Sequence, residues 1–198
     1  MWRIGITGSI ATGKSTVLKA FADLGVPVFS ADTAVAELYE GEAVAPVEAL
    51  FPGVTQNGRV DRALLSKKLS ENPSGFKQLE AVVHPLVRAR ITQFLDTAEA
   101  QGHMLAVVEV PLLFESGHDY GFDAIAVTFV DEAIQRERAL ARPGMSVEKL
   151  NTILARQTPQ AEKKRRATYL FDTGSSVAQT QKEVAALVAD IRAKGPKE

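Results

Sequence analysis

Residues 2–7 form a short apolar run, followed by glycines and then by apolar positions at Val17, Leu18, Ala20, Phe21 and Leu24, spaced as one face of a helix that Gly25 closes. The pattern predicts strand, loop, helix. Residues 26–30 read as a second short strand, and Ala34, Val35, Leu38 and Tyr39 as the apolar face of a second helix. A βαβα opening favours a parallel sheet with right-handed crossovers. From Gly41 to about Gly102 helical periods dominate, with turn signals at Phe51-Pro52-Gly53, Gln56-Asn57-Gly58 and Asn72-Pro73. This stretch, about 41–102, reads as an insertion. The sheet resumes at 104–110, whose apolar character is interrupted only at Glu109, as suits a strand buried on both faces. Further strands fit 124–130 and 169–171. Residues 132–141 and 146–166 read as charged helices divided by Arg142-Pro143-Gly144, a break suited to a mobile hairpin. A last helix is expected over 177–193, followed by a polar tail.

Composition narrows the function classes. At 198 residues, 45% hydrophobic and 24% charged, the chain has the length for one α/β core with a small inserted subdomain. A net charge of −1 supplies no global field for nucleic acid or an anionic membrane, so an anionic partner must be held by a local site. The absence of cysteine excludes disulfides, thiolate zinc sites and cysteine nucleophiles. No apolar run approaches the roughly 18 residues of a membrane span, and Gly5, Gly8 and Lys14 interrupt the N-terminus too early for a signal peptide. The expectation is a soluble cytoplasmic protein without nucleic-acid or membrane partners, either a monomer or a small homo-oligomer.

Gly8-Ser9-Ile10-Ala11-Thr12-Gly13-Lys14-Ser15 matches the phosphate-binding pattern G-x-x-x-x-G-K-[ST] in full, directly after one expected strand and before one expected helix. Glycines let the backbone turn its N–H groups inward, and a helix N-terminus adds its dipole to the attraction for phosphate. Lys14 is expected to reach the β- and γ-phosphates, the Ser15 hydroxyl to ligate Mg²⁺, and Thr16 to extend the nucleotide contacts.

Asp32 stands just beyond the second strand, where loops at the carboxyl ends of parallel strands gather. Its carboxylate suits deprotonation of an acceptor hydroxyl or support of Mg²⁺, and it suits equally a helix N-cap for the segment from Thr33. Arg136, Arg138 and Arg142, with Lys163, Lys164, Arg165 and Arg166, make either a lid closing over triphosphate or two solvated helix faces; Arg142, at the turn, is the favoured lid cation. Glu109 could support Mg²⁺, contact an acceptor or cap the segment after Pro111.

Residues 5–15, Ala31-Asp32, Gly58-Arg59-Val60-Asp61-Arg62, His84-Pro85 and Pro111-Leu112-Leu113-Phe114-Glu115 resemble successive signatures of the dephospho-CoA kinase family. The likeness continues through Gln135, Arg138 and Arg142, Ala155-Arg156-Gln157 and Gly174-Ser175, covering nearly the whole chain. It implies a three-layer P-loop NTPase fold with five parallel strands in order 2-3-1-4-5, a helical CoA-binding insertion and an arginine-bearing lid at about 142–165. It implies ATP with Mg²⁺ as phosphoryl donor and dephospho-CoA as acceptor. Asp32 would then be the general base for the ribose 3′-hydroxyl, with Arg62 and His84 on the acceptor side and Lys14 and Arg142 on the transferred phosphoryl group; Glu109 and Leu113 are further candidates for substrate binding. Read without the family, His84 is a helix-start residue, and Leu113 and Phe114 are core. The chain departs from the family at Ser30, Glu109, Thr168 and Thr173, where Asp, Asp, Asp and Asn are usual.

Two alternatives stand beside this reading. Another kinase on the same scaffold would take a nucleoside monophosphate, gluconate or shikimate. A regulatory GTPase would need the Asn-Lys-x-Asp guanine reader, which the sequence lacks.

Overall fold

The computed structural model describes residues 1–197. In chain order the first elements are β1 (Trp2–Gly8), α1 (Lys14–Asp23), β2 (Val28–Ser30), α2 (Ala31–Leu38), α3 (Val44–Leu50), β3 (Thr55–Gln56), β4 (Arg59–Val60), α4 (Arg62–Glu71) and α5 (Gly75–Ala100). They are followed by β5 (Leu105–Glu109), α6 (Leu113–Ser116), β6 (Ala124–Phe129), α7 (Glu132–Leu140), α8 (Val147–Ala155), α9 (Gln160–Arg165), β7 (Tyr169–Asp172) and α10 (Val177–Lys194). The chain divides into two compact units, residues 1–29 with residue 95 onward, and residues 30–94.

The first unit is built on a five-stranded sheet in the order β2-β5-β1-β6-β7. Counting only strands of this sheet along the chain gives 2-3-1-4-5, the expected order. The central strand β1 pairs in parallel with β5 through Ile4 and Val107 and with β6 through Ile6 and Ala126. β6 pairs in parallel with β7. Every residue of β5 is buried, as the unbroken apolar run requires. One face of the sheet is covered by α1, through Val17, Ala20 and Phe21, and by α10, through Val184, Leu187, Val188 and Ile191. Both sets recur at three- and four-residue intervals, so each helix presents a single apolar stripe. Phe21 meets Phe171 edge to face at 6.2 Å, and truncating so buried a ring costs about 3–5 kcal/mol.

The charged stretch 146–166 is two helices rather than one. Pro159 precedes α9 and cannot donate an N–H, and the residue before a proline is pushed out of helical geometry, so the chain breaks between Ala155 and Gln160. The Arg142-Pro143-Gly144 turn is closed by Met145 N–H donating to Arg142 O at 3.2 Å.

The second unit starts at Ser30 and ends at Phe94, so it takes in α2 and Asp32, which the sequence reading leaves outside the insertion. Ala43 N–H donates to Leu38 O at 2.9 Å and Val60 N–H to Tyr39 O at 2.8 Å, tying the end of α2 to the start of α3 and to β4. The Asn57-Gly58 turn joins β3 to β4 with both residues at positive φ, 51° and 75°, as a two-residue hairpin needs. Strands of two residues leave no readable period, which is why the sequence shows only the turn signal here, amid mainly helical periods. Asp61 caps α4, accepting from Ala63 N–H at 2.8 Å and Leu64 N–H at 3.0 Å.

His84 is not a helix-start residue. It lies inside the 26-residue α5, directly before an internal proline, Pro85. That proline removes one intrahelical bond, while buried Val83, Val87, Ile91, Leu95 and Ala98 along one stripe keep the helix continuous.

Candidate active site

The phosphate loop leaves the carboxyl end of β1 and enters α1. Gly13 takes φ 79°, and a Cβ there would lie 2.9 Å from the Thr173 side chain. A Cβ on Gly8 would lie 2.6 Å from the Thr12 hydroxyl, so the first position of the motif also admits only glycine. Ala11 carries a side chain at φ 61°, a strained state of the kind that persists only where surroundings over-determine it. Here Ala139 and Leu150 pack on it.

The loop is buttressed from below by hydroxyls. Thr12 Oγ1 bonds Ser9 O at 2.8 Å and shares a 2.8 Å bond with Thr128 Oγ1. Thr173 Oγ1 donates to Thr12 O at 3.0 Å, and Arg138 donates in turn to Thr173 Oγ1 at 3.3 Å and Thr173 O at 2.9 Å. Above, α1 begins at Lys14 with no side-chain cap, leaving a helix N-terminus of the type that binds anions. Lys14 Nζ folds back onto Gly8 O at 2.9 Å and Ser9 O at 3.1 Å, and Ser15 is exposed.

The basic cluster separates into distinct parts. Arg136 donates to Asn151 Oδ1 at 3.3 Å, linking α7 to α8; Arg138 holds Thr173; Arg142 is exposed at the turn. Lys163 is neither a lid cation nor a solvated charge. It is fully buried, with its ammonium 2.8 Å from Glu115 Oε1, and the same oxygen accepts from Thr158 N–H at 2.7 Å. Burial pushes the Glu115 carboxyl up, and the Lys163 ammonium and Thr158 N–H outweigh it, so its pKa lies below the usual value. Lys164 and Arg166 lie over the rings of Phe129 and Phe114 at 3.9 and 4.1 Å. Arg165 pairs with Glu162 on the surface. Glu109 ends β5 in a buried position, and Leu113 is buried at the start of α6.

In the second unit, the capping alternative for Asp32 falls away, because the Ser30 hydroxyl is the cap of α2, accepting from Thr33 N–H at 3.5 Å. Asp32 is exposed in the first turn of α2 and lines a cavity of about 440 Å³ with Tyr39, Arg62, Leu65, Leu69 and Phe76 among its walls. The structure therefore brings Asp32 and Arg62 together on one cavity. His84 is half-buried on α5 and is not among the residues lining that cavity. The Arg62 guanidinium sits 5.6 Å from the centre of the Tyr39 ring. Burial pushes the Tyr39 hydroxyl pKa up, and Arg62 pulls against that shift.

A phosphate loop between the central strand of a 2-3-1-4-5 parallel sheet and its helix, followed by arginine-bearing helices, defines a P-loop kinase. The dephospho-CoA kinase family model matches residues 2–179, and the chain belongs to that family. It is 53% identical over 174 residues to the dephospho-CoA kinase of Rhodopseudomonas palustris, covering 88% of this chain and 87% of that one. It is 49% identical over 192 residues to the dephospho-CoA kinase of Rhizobium etli, covering 97% and 95%. Among solved structures, TT1252 from Thermus thermophilus superposes with a TM-score of 0.80 at 33% identity, over 96% of this chain and 97% of that one.

Sequence reasoning missed Thr173 as a support of the loop, and the Glu115–Lys163 pair. Their partners lie far off along the chain; Thr173 is 161 positions from Thr12.

Proposed function

We propose that this protein transfers the γ-phosphoryl group of ATP to the ribose 3′-hydroxyl of dephospho-CoA, giving CoA and ADP, the last step of coenzyme A biosynthesis. The observation that carries this reading is the family match across residues 2–179 together with a phosphate loop whose required residues, Gly8, Gly13, Lys14 and Ser15, are all present.

In this reading the amides of residues 8–15 and the start of α1 hold the β- and γ-phosphates, and Lys14 swings from its own loop's carbonyls to the phosphates, with Thr16 beside them. Among the described residues no three His, Asp or Glu side chains gather into a cation cage, and the Ser15 hydroxyl is an oxygen ligand of the kind that, together with substrate phosphates, would hold Mg²⁺ at a P-loop. Mg²⁺, when bound with ATP, neutralises charge on the β- and γ-oxygens. Asp32 accepts the proton of the 3′-hydroxyl as that oxygen attacks the γ-phosphorus and the bond to the β-phosphate oxygen breaks. Arg62 faces an anionic part of the acceptor across the cavity it shares with Asp32. His84 belongs to the acceptor side by family resemblance, and Glu109 and Leu113 are assigned there as further substrate contacts. Arg142, on the lid over about 142–165, meets the transferred group and, with lid closure, keeps water from serving as acceptor. The unit of residues 30–94 carries the Asp32, Arg62 and His84 part of the acceptor subsite.

Among the described residues no helix is long and apolar enough to cross a membrane; the cytoplasmic location is part of this proposal and rests on the small-molecule metabolism the family serves. An ADP-release assay with MgATP across dephospho-CoA, a nucleoside monophosphate, gluconate and shikimate tests the reading. Turnover is expected with dephospho-CoA alone; turnover with another acceptor in its place would overturn the assignment.

A further inference from the structure

Ile10, the third residue of the phosphate loop, is held through both of its backbone polar groups by glutamines. Its N–H donates to Gln157 Oε1 at 3.0 Å, and its carbonyl accepts from Gln135 Nε2 at 2.8 Å. The second bond is the end of a relay: Val130 N–H donates to Gln160 Oε1 at 3.2 Å, and Gln160 Nε2 donates to Gln135 Oε1 at 2.8 Å. The orientation of each amide in this relay is fixed by the backbone group at its end. A peptide N–H can only donate and a peptide carbonyl can only accept, so neither Gln160 nor Gln135 can be turned over without losing a bond. Gln135 is buried, at 4% exposure, where an unpaired amide would be costly.

The segment that supplies Gln157 and Gln160 is itself pinned. Thr158 N–H and the Lys163 ammonium both meet Glu115. The helix before it, α8, packs Leu150 and Leu154 in the same cluster as Ala11 and Ile10. The entry turn of the phosphate loop is thus attached to the stretch between the two halves of the lid region.

We infer that Gln157 and Gln135 are positioning residues for nucleotide binding, which shape the entry turn of the phosphate loop before the triphosphate arrives. A loop held in its binding geometry loses less conformational freedom on binding, and that saving appears as affinity. Glutamine suits the task because it offers a donor and an acceptor without a charge, whereas a carboxylate beside the loop would repel phosphate. The inference rests on the proposed nucleotide site and is independent of which acceptor the enzyme takes.

The test is isothermal titration of ATP into Gln157→Met, Gln135→Met and the double variant, alongside hydrogen exchange over residues 8–15 and steady-state kinetics. Methionine keeps length and volume while deleting the amide. Gln157→Met is expected to weaken ATP binding roughly 5–10-fold, the size of one lost hydrogen bond, and to speed exchange in the loop. Its KM for dephospho-CoA should stay within about twofold, the change in affinity being confined to the nucleotide. The double variant should lose less than the product of the single losses, because both glutamines act on one residue. If Gln135→Met does not fold, the half-buried Gln157 alone decides the matter. A folded Gln157→Met that binds ATP within twofold of wild type, or whose KM rises equally for both substrates, overturns the inference. A wild-type protein that binds ATP but ignores dephospho-CoA would remove the acceptor assignment and leave the comparison of ATP affinities intact.

Discussion

The phosphate loop and the Asp32 cavity are built on opposite principles. In the loop the proposed phosphate ligands are chiefly main-chain amides, joined by Lys14 and Ser15. The side chains of Thr12 and Thr173 are buried and turned inward to shape the backbone, with strain stored at Ala11 and a left-handed Gly13. In the cavity the backbone is ordinary helix, and the polar groups that line it, and that the proposed mechanism uses, are side chains, among them an exposed Asp32 and Arg62. A main-chain site tolerates little change in the residues that shape it, yet none of those residues has to touch the ligand. A side-chain site tolerates change in its frame but loses its chemistry with one substitution.

That contrast can be broken or sharpened by substitution. The largest effect is expected from Asp32→Asn, which should lower turnover by roughly 10²–10⁴-fold while ATP affinity by titration stays within about twofold; comparable losses in both would place Asp32 outside the role of base. Next comes Lys163→Met, on the loop side, which strands the partly buried Glu115 carboxylate and should cost about 3 kcal/mol of stability in denaturant unfolding, the low end for breaking a buried pair.

The same pair predicts an acid signature. Because the Glu115 pKa is lowered in the folded protein, its contribution is complete above the unfolded carboxyl value of about 4.3 and is lost as pH falls through the folded value. The stability gap between wild type and Glu115→Gln should therefore narrow on acidification below about pH 4, and a gap independent of pH would contradict the pairing. The smallest effect belongs to Arg62→Ala, with a KM for dephospho-CoA raised about tenfold, as for one charged hydrogen bond, and ATP affinity unchanged. Removing the cation should also move the Tyr39 pKa further up in ultraviolet titration, since Arg62 now opposes the effect of burial.

The two sites differ in how far they can be read from the sequence. The loop is legible residue by residue, because glycine at fixed spacing is the only chemistry that meets its backbone demands. The order of the five strands comes with the family resemblance, and the sheet confirms it. The single helix expected over 146–166 fails at Pro159, where a local rule about the residue before proline outweighs the charge pattern. Lys163 is unreadable in principle: in a run of Lys163-Lys164-Arg165-Arg166 nothing local separates the one cation that is buried from three that are not. Gln135 and Gln157 enter the sequence reading only as part of the family resemblance, and their bonds to Ile10, 125 and 147 positions away, make no periodic pattern that would reveal them. In the cavity, Asp32 and Arg62 can each be named from the sequence, while their meeting on one wall depends on α2 and α4 folding into the same unit.

The hydroxyl of Thr173 on Thr12 O also bears on how the protein is made. A ribosome emits residues 8–15 well before the strut that braces them, which comes some 160 positions later. At roughly 5–20 residues per second, the nascent segment waits on the order of ten to thirty seconds without its brace. The motif is written first and finished last, so a nascent chain stalled before β7 would carry the whole signature yet lack the braced loop.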